Sequence, residues 1–313
     1  MITLQSELLE VLNRYGIQDG GEITSGSIFF VDSSNTAGAS DTADGIHGQS
    51  WRYPFATIDF AVDQCTDSAG DIIYVGPGHA EAIASAGALT FDKIGVKVIG
   101  LGTGALRPTI TVGAASTATA SIVVSAADVT VKNCIIGMAL VDVTVMLDVN
   151  AVRCTVEDCL FNMWVTTGTF QAVTAIDING GEDNYADGCI VRNCEFLATV
   201  AGANQAIELG EIADRVVIDG CTFWGDYVNA AIHNPTGKIL TNLLIKDCII
   251  RNDNSGNTYC IELVSACTGI LVGNSYVSAI TQATAADVGA CMSIECYHCD
   301  VTDTSGTLSP VVT

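Results

Sequence analysis

The sequence predicts an all-β fold, a single-stranded right-handed parallel β-helix (a solenoid) with an N-terminal capping helix and a short helical N-terminal arm. Three observations predict it. Six segments between Val129 and Val277 share one pattern: apolar, any, apolar, polar, Asn/Asp/Gly, Cys, any, then Phe, Ile or Val. Their Cys positions are 134, 159, 194, 221 and 248, with Ser275 in the sixth place, at steps of 25, 35, 27, 27 and 27 residues. Between the copies lies a second set of short apolar-any-apolar strands, so each repeat is a coil of short strands and turns. A repeat of this length marks a stack of coils that pair with their neighbours.

The elements follow in order. Residues 1–26 form the arm, and residues 27–313 form the β-helix. Ser6 can cap a helix over residues 6–15, and Gly16 can end it. Leu8, Leu9, Val11 and Leu12 give that helix an apolar face, either to lie on the solenoid or a mate, or to dock on a larger assembly. Ile28–Val31 reads as the first strand. A polar loop from Asp32 to Gly48 follows, in which Asp32, Asp41 and Asp44 are weak candidates for a cation such as Ca²⁺. Pro54 opens a helix over about 54–65 that would cover the exposed edge of the first rung. Regular rungs run over about 71–300.

Alternation sets the interior of each rung. Val129, Val131, Cys134 and Ile136 all point inward if the chain turns at Asn133. The turn needs a left-handed backbone, which explains the Asn/Asp/Gly column at 133, 158, 193, 220, 247 and 274. Cys then serves as a small apolar core residue. The next inward column is Ile136, Phe161, Phe196, Phe223, Ile250 and Val277.

The Val-x-Asn-Cys-x-Phe type of turn resembles that of the pectate-lyase-like β-helix superfamily, over residues 27 to 300. That resemblance implies the fold and no particular activity, because the superfamily mixes lyases, hydrolases, adhesins and viral spikes. The opening is similar to β-helix virion proteins of tailed bacteriophages. It runs through Pro54-Phe-Ala-Thr-Ile58, Gly70-Asp-Ile-Ile-Tyr-Val-Gly-Pro-Gly-His-Ala-Glu81, Ile99-Gly-Leu-Gly-Thr-Gly104 and Arg107-Pro-Thr-Ile110. It implies a spike, head fibre or capsid decoration. The short stretch after Cys299 departs from long tailspikes, which carry a further domain there.

Charge narrows the functions. The net charge is −23, with 12 Lys and Arg. No basic patch exists to replace phosphate counterions or to meet an anionic membrane, so nucleic acid and membrane are not expected partners. The acidic surface keeps a β-rich chain soluble. The thirteen Cys are expected to be free buried thiols, which suits synthesis in a reducing cytosol. Cys291, Cys296, Cys299 and His298 match no strong zinc spacing, and no metal is expected there. The N-terminus shows no signal peptide, so the expected place is a virion assembled in a host cytoplasm.

One constellation can carry chemistry. The outward residues of the second strand set form a column: Val123, Asp148, Asp177, Glu208, His233, Glu262 and Ser293. Rung spacing puts neighbours roughly 5 Å apart and alternate members roughly 10 Å apart. Paired carboxylates at such distances serve glycosidases, and Glu208 beside His233 would make an acid/base pair. No Lys or Arg stands in the column, which counts against a lyase. The same column can equally be a solvated or cation-binding face or a subunit contact. Trp164, Trp224 and Tyr227, on one loop side, would stack on a host glycan, or simply pack their loops. The leading expectation is a non-enzymatic virion structural protein, a capsid decoration or short fibre. It would be a homotrimer bound to capsid or tail proteins. The alternatives are a glycoside hydrolase or depolymerising spike using the acidic column, and a bacterial surface or filament subunit.

Overall fold

In the computed structural model, residues 24–114, 118–140, 142–164, 172–179, 186–256, 259–278, 286–300 and 307–309 are described. They form a right-handed-type parallel β-solenoid. Three long sheets run its length, with ten, eight and ten strands among the described residues. In each regular coil the chain passes from the first sheet, around a tight corner, into the third, and then by a longer loop into the second. Thr130–Lys132, Ile135–Met138 and Val145–Val149 make one such coil. We call the three the ladder sheet, the aromatic sheet and the acid sheet, after the side chains described below.

The corner between ladder and aromatic sheets is built as its sequence dictates. Asn133, Asp158, Asn193 and Asp247 stand there with φ between 53° and 57°, and Gly220 with 62°. Non-glycine residues hold this left-handed conformation at some cost, and Asn and Asp hold it most cheaply. Asn133 offsets the cost by donating from Nδ2 to the carbonyl of Gly100 at 2.8 Å.

Past the corner the chain points inward. Cys134, Cys159, Cys194, Cys221, Cys248 and Cys296 are all buried. All thirteen thiols are free, and Cys291 and Cys299 are the two that are only half-buried. Burial pushes the Cys260 thiol up to about 12, so it stays a neutral core group. Two positions further on, Phe161, Phe196 and Phe223 stack with ring centroids 5.0 and 4.7 Å apart and planes within 9°. Parallel in-register pairing forces this stack, because Phe161 faces Phe196 and Phe196 faces Phe223 across the ladder.

The last coils depart from the expected alignment. Leu243 pairs with Gly269 and Ile250 with Tyr276. The corner is therefore Gly273 (φ 68°), and Asn274, not Ser275, takes the Cys place. Asn274 is buried and satisfies itself by donating to the Ile245 carbonyl and accepting from the Cys248 amide, both at 2.9 Å. Tyr276, not Val277, continues the aromatic column, and His298 follows it. Met292–Ile294 belongs to the ladder sheet, with Ser293 beside Leu271, so it is not part of the acid sheet.

A single α-helix stands among the described residues: α1, Ile58–Asp63, shorter than the expected 54–65. Thr57 caps it by accepting from the Phe60 amide at 3.3 Å, and Pro54 lies outside it. It packs against Ile28–Val31, Ile72–Val75 and Ala86–Phe91. The arm helix, with Leu8, Leu9, Val11 and Leu12, lies outside the described residues.

Candidate functional site: an acidic column on one sheet

The strand register brings the column together. Asp148 pairs with Asp177, Asp177 with Glu208, Glu208 with His233, and His233 with Glu262. Glu262 then pairs with Asp287, which sequence reasoning missed because Ser293 had been given that place. Thr90 and Val123 continue the column towards the N-terminus.

Burial moves every group in the centre of this column towards its uncharged form. Asp148, Glu208 and Glu262 are raised above the ordinary carboxylate range chiefly by loss of solvent. Asp177 goes furthest, up to about 7, through burial first and then the neighbouring charges of Glu208 and Asp148. His233 is lowered by burial. Its Nε2 lies 3.9 Å from Glu262, and its buried Nδ1 finds no hydrogen-bond partner.

The two central carboxyls differ in their surroundings. Asp177 Oδ2 accepts from Asn179 at 3.3 Å, while its Oδ1 is buried with no partner. That oxygen lies over Gly210, where a Cβ would come within 2.6 Å, so the backbone leaves room for it. Glu208 is held instead by a network. Gln205, itself buried, donates from Nε2 to Glu208 at 2.5 Å and to Thr174 at 2.8 Å, and Asn229 donates to the Gln205 carbonyl at 2.9 Å. One carboxyl is thus poised to hold a proton, and the other is supported by donors that favour its ionised form.

The ladder sheet shows what the same fold does when charge is only structural. Lys132, Glu157, Arg192, Asp219 and Lys246 occupy one outward column on successive rungs, with signs alternating. Their ion pairs measure 3.5, 3.0 and 2.9 Å. The signal was in the sequence, since each stands just before the Asn/Asp/Gly turn. No such matching occurs in the acid column.

The remaining candidates do not converge on it. Trp224 is exposed on the aromatic sheet, with Arg251 stacked 5.2 Å from its ring centre. Trp164 is half-buried beyond the strand Leu160–Asn162. Tyr227 is fully buried, with 0% exposure, and cannot stack on a sugar. Its parity explains this: Phe223, Gly225 and Tyr227 all face inward along one strand. Asp32 and Asp44 serve their own loop, and Asp41 ties that loop to the start of α1. Asp32 accepts from Ser34, Asp41 from Ala56 and Thr57, and Asp44 from Ile46 and His47. Among the described residues no three metal-ligating side chains gather. That holds for Cys291, Cys296, Cys299 and His298 too.

No protein-family model matches the chain, and no curated protein matches it. The chain is similar to two solved structures. A crystal structure of pectate lyase Pel9A is 14% identical with a TM-score of 0.48, covering 93% of this chain and 82% of its own. A rhamnogalacturonan lyase is 12% identical with a TM-score of 0.44, covering 80% and 74%. The fold assignment stands on the strand register described above. The virion reading rests on the sequence resemblance.

Proposed function

We propose that the acid sheet is the working face of this chain and that it hydrolyses glycosidic bonds of an uncharged polysaccharide. The observation that supports this is Asp177, a half-buried carboxyl with one unpartnered buried oxygen, raised to about 7 beside a second, donor-supported carboxyl. Adjacent rungs stand roughly 4.8 Å apart, close to the roughly 5–5.5 Å of retaining glycosidases. Asp177 gives its proton to the leaving-group oxygen as the bond to the anomeric carbon breaks. Glu208 attacks that carbon and forms the glycosyl ester. Asp177, now ionised, takes a proton from water, whose oxygen displaces Glu208. An uncompensated acidic face repels uronates, so a neutral glycan is the expected substrate.

The test is release of reducing ends from a panel of neutral bacterial polysaccharides by the full chain. Activity that Asp177→Asn and Glu208→Gln each lower by at least ~10³-fold supports the reading. Activity unchanged in both variants, or none on any neutral glycan, removes it.

A second reading is a non-enzymatic virion protein, a capsid decoration or short fibre made in the host cytoplasm. The charge-matched ladder sheet favours it, since that face can meet another protein without a charge penalty. Co-sedimentation of the purified chain with capsids or tails tests it, and a chain that stays wholly in the supernatant rules it out.

A further inference from the structure

Behind Glu208 the polar side chains of Thr174, Gln205 and Asn229 form a chain with one direction. The strand Gln205–Leu209 starts irregularly, with Gln205, Ala206 and Ile207 all buried. The amides of Asn204 and Gln205 both donate to the Val173 carbonyl, at 2.9 and 3.3 Å. Those of Ala206 and Ile207 both donate to the Ala231 carbonyl, at 3.0 and 2.9 Å. Two amides on one carbonyl are the pattern of a β-bulge, and a bulge re-aims a side chain. Here it carries the Gln205 amide out to the carboxyl of Glu208, three residues on.

The polarity of this chain follows from its end. An ionised carboxylate only accepts, so Gln205 must turn its NH2 group to Glu208 and its oxygen away. That oxygen meets Asn229, which donates from Nδ2 at 2.9 Å out of the next coil. Thr174, also buried, accepts from the same Gln205 nitrogen at 2.8 Å, which leaves its own proton for Glu208. Burial pushes Glu208 up, and the donors Gln205 and Thr174 pull it back. We propose that Gln205 and Asn229 are positioning residues: their two amides, fixed head to tail, hold the Glu208 carboxyl ionised and in one orientation, so that it loses its proton before Asp177 does. The use of Glu208 as a nucleophile rests on the hydrolase reading above, but its charge can be measured with no substrate present. The other ionisable groups of the column around it are Asp177 and His233 on the neighbouring rungs, then Asp148 and Glu262 one rung further.

Carboxyl-carbon NMR of the full chain across a pH series tests it, with the Glu208 signal assigned by its loss in Glu208→Gln. Asn229→Asp forces the Gln205 amide to turn round, donate to the new carboxylate and present its oxygen to Glu208. Glu208 should then become a weaker acid by about tenfold or more. In a Gln205→Met background the same Asn229→Asp change should have less than about half that effect, since only charge through space remains. A second measurement uses the wild-type chain and guards against variants that misfold: the side-chain NH2 signals of Gln205 should shift in step with the ionisation of Glu208. Equal effects of Asn229→Asp in the two backgrounds overturn the proposal, and so do Gln205 signals that ignore the Glu208 titration. If these shifts appear and no neutral glycan is cleaved, the relay stands and the hydrolase reading falls. If a glycan is cleaved, the acid limb of kcat/KM should move with the Glu208 midpoint in Asn229→Asp.

Discussion

Replacing Asp177 with Asn should stabilise the protein at alkaline pH and leave its stability almost unchanged at pH 4. The folded chain moves this carboxyl from 3.8 to about 7. Below the unfolded value both states are protonated, and the group contributes nothing. Between the two values the folded state keeps a proton that the unfolded state has lost, so stability falls as pH rises. Above about 7 the folded state must ionise, and the penalty is complete. Slightly more than three pH decades at about 1.4 kcal/mol each give about 4 kcal/mol as an upper bound. Water at the open edge of the sheet should reduce this to about 2 kcal/mol. An amide there cannot ionise, so Asp177→Asn escapes the penalty. Any loss from an unpaired amide N–H is the same at every pH, so the informative quantity is the difference between conditions. Urea unfolding of both proteins, followed by circular dichroism at pH 4 and pH 9, measures it. A gain at pH 9 that exceeds that at pH 4 by about 2 kcal/mol or more is expected. Equal differences at the two pH values would refute the assignment of Asp177 as the raised carboxyl.

Two further outcomes follow from the core. Phe196→Ala removes the middle ring of the stacked three and should cost about 3–5 kcal/mol, read as earlier loss of amide protection in the rungs on either side. The Tyr227 hydroxyl is buried with no partner. Tyr227→Phe should therefore leave stability unchanged or raise it by about 1 kcal/mol, and a loss of more than that in thermal melts would show a hidden partner.

What the sequence made legible was whatever the turn demanded. A left-handed corner admits few residue types, so Asn133, Asp158, Asn193, Gly220 and Asp247 mark the rung register in the sequence itself. The same rule misled at the last coil, where Gly273 and Asn274 are both good corner residues and stand side by side. Only the pairing of Leu243 with Gly269 decides between them. The acid column followed from period-two alternation and held from Asp148 to Glu262. It failed at Asp287, because Met292-Ser-Ile294 has the same apolar-any-apolar pattern and competes with Ala286-Asp-Val288 for that place. Tyr227 was misplaced for a different reason: it was put on a loop side with Trp224, but one strand runs from Thr222 to Tyr227 and its parity turns Tyr227 inward. The degree of burial of the acidic column had no signature in the sequence. It depends on which side chains crowd each carboxyl, among them Asn179 at Asp177 and Gln205 at Glu208, and period-two alternation does not encode that.

The in-register columns have a consequence for how such a chain can change over generations. From Asp158 to Phe223 each rung presents the same kind of corner, the same Cys and the same inward Phe ring to its neighbours. Deleting residues 194–220, one full repeat, would bring Cys221 to the place of Cys194 and set Phe223 on Phe161, a join between surfaces that already fit. The acidic column would lose Glu208, and His233 would come to lie beside Asp177. Duplication would lengthen the column in the same way. The protein can therefore be edited a whole rung at a time, with a new face of side chains at each step and an interior that scarcely registers the change.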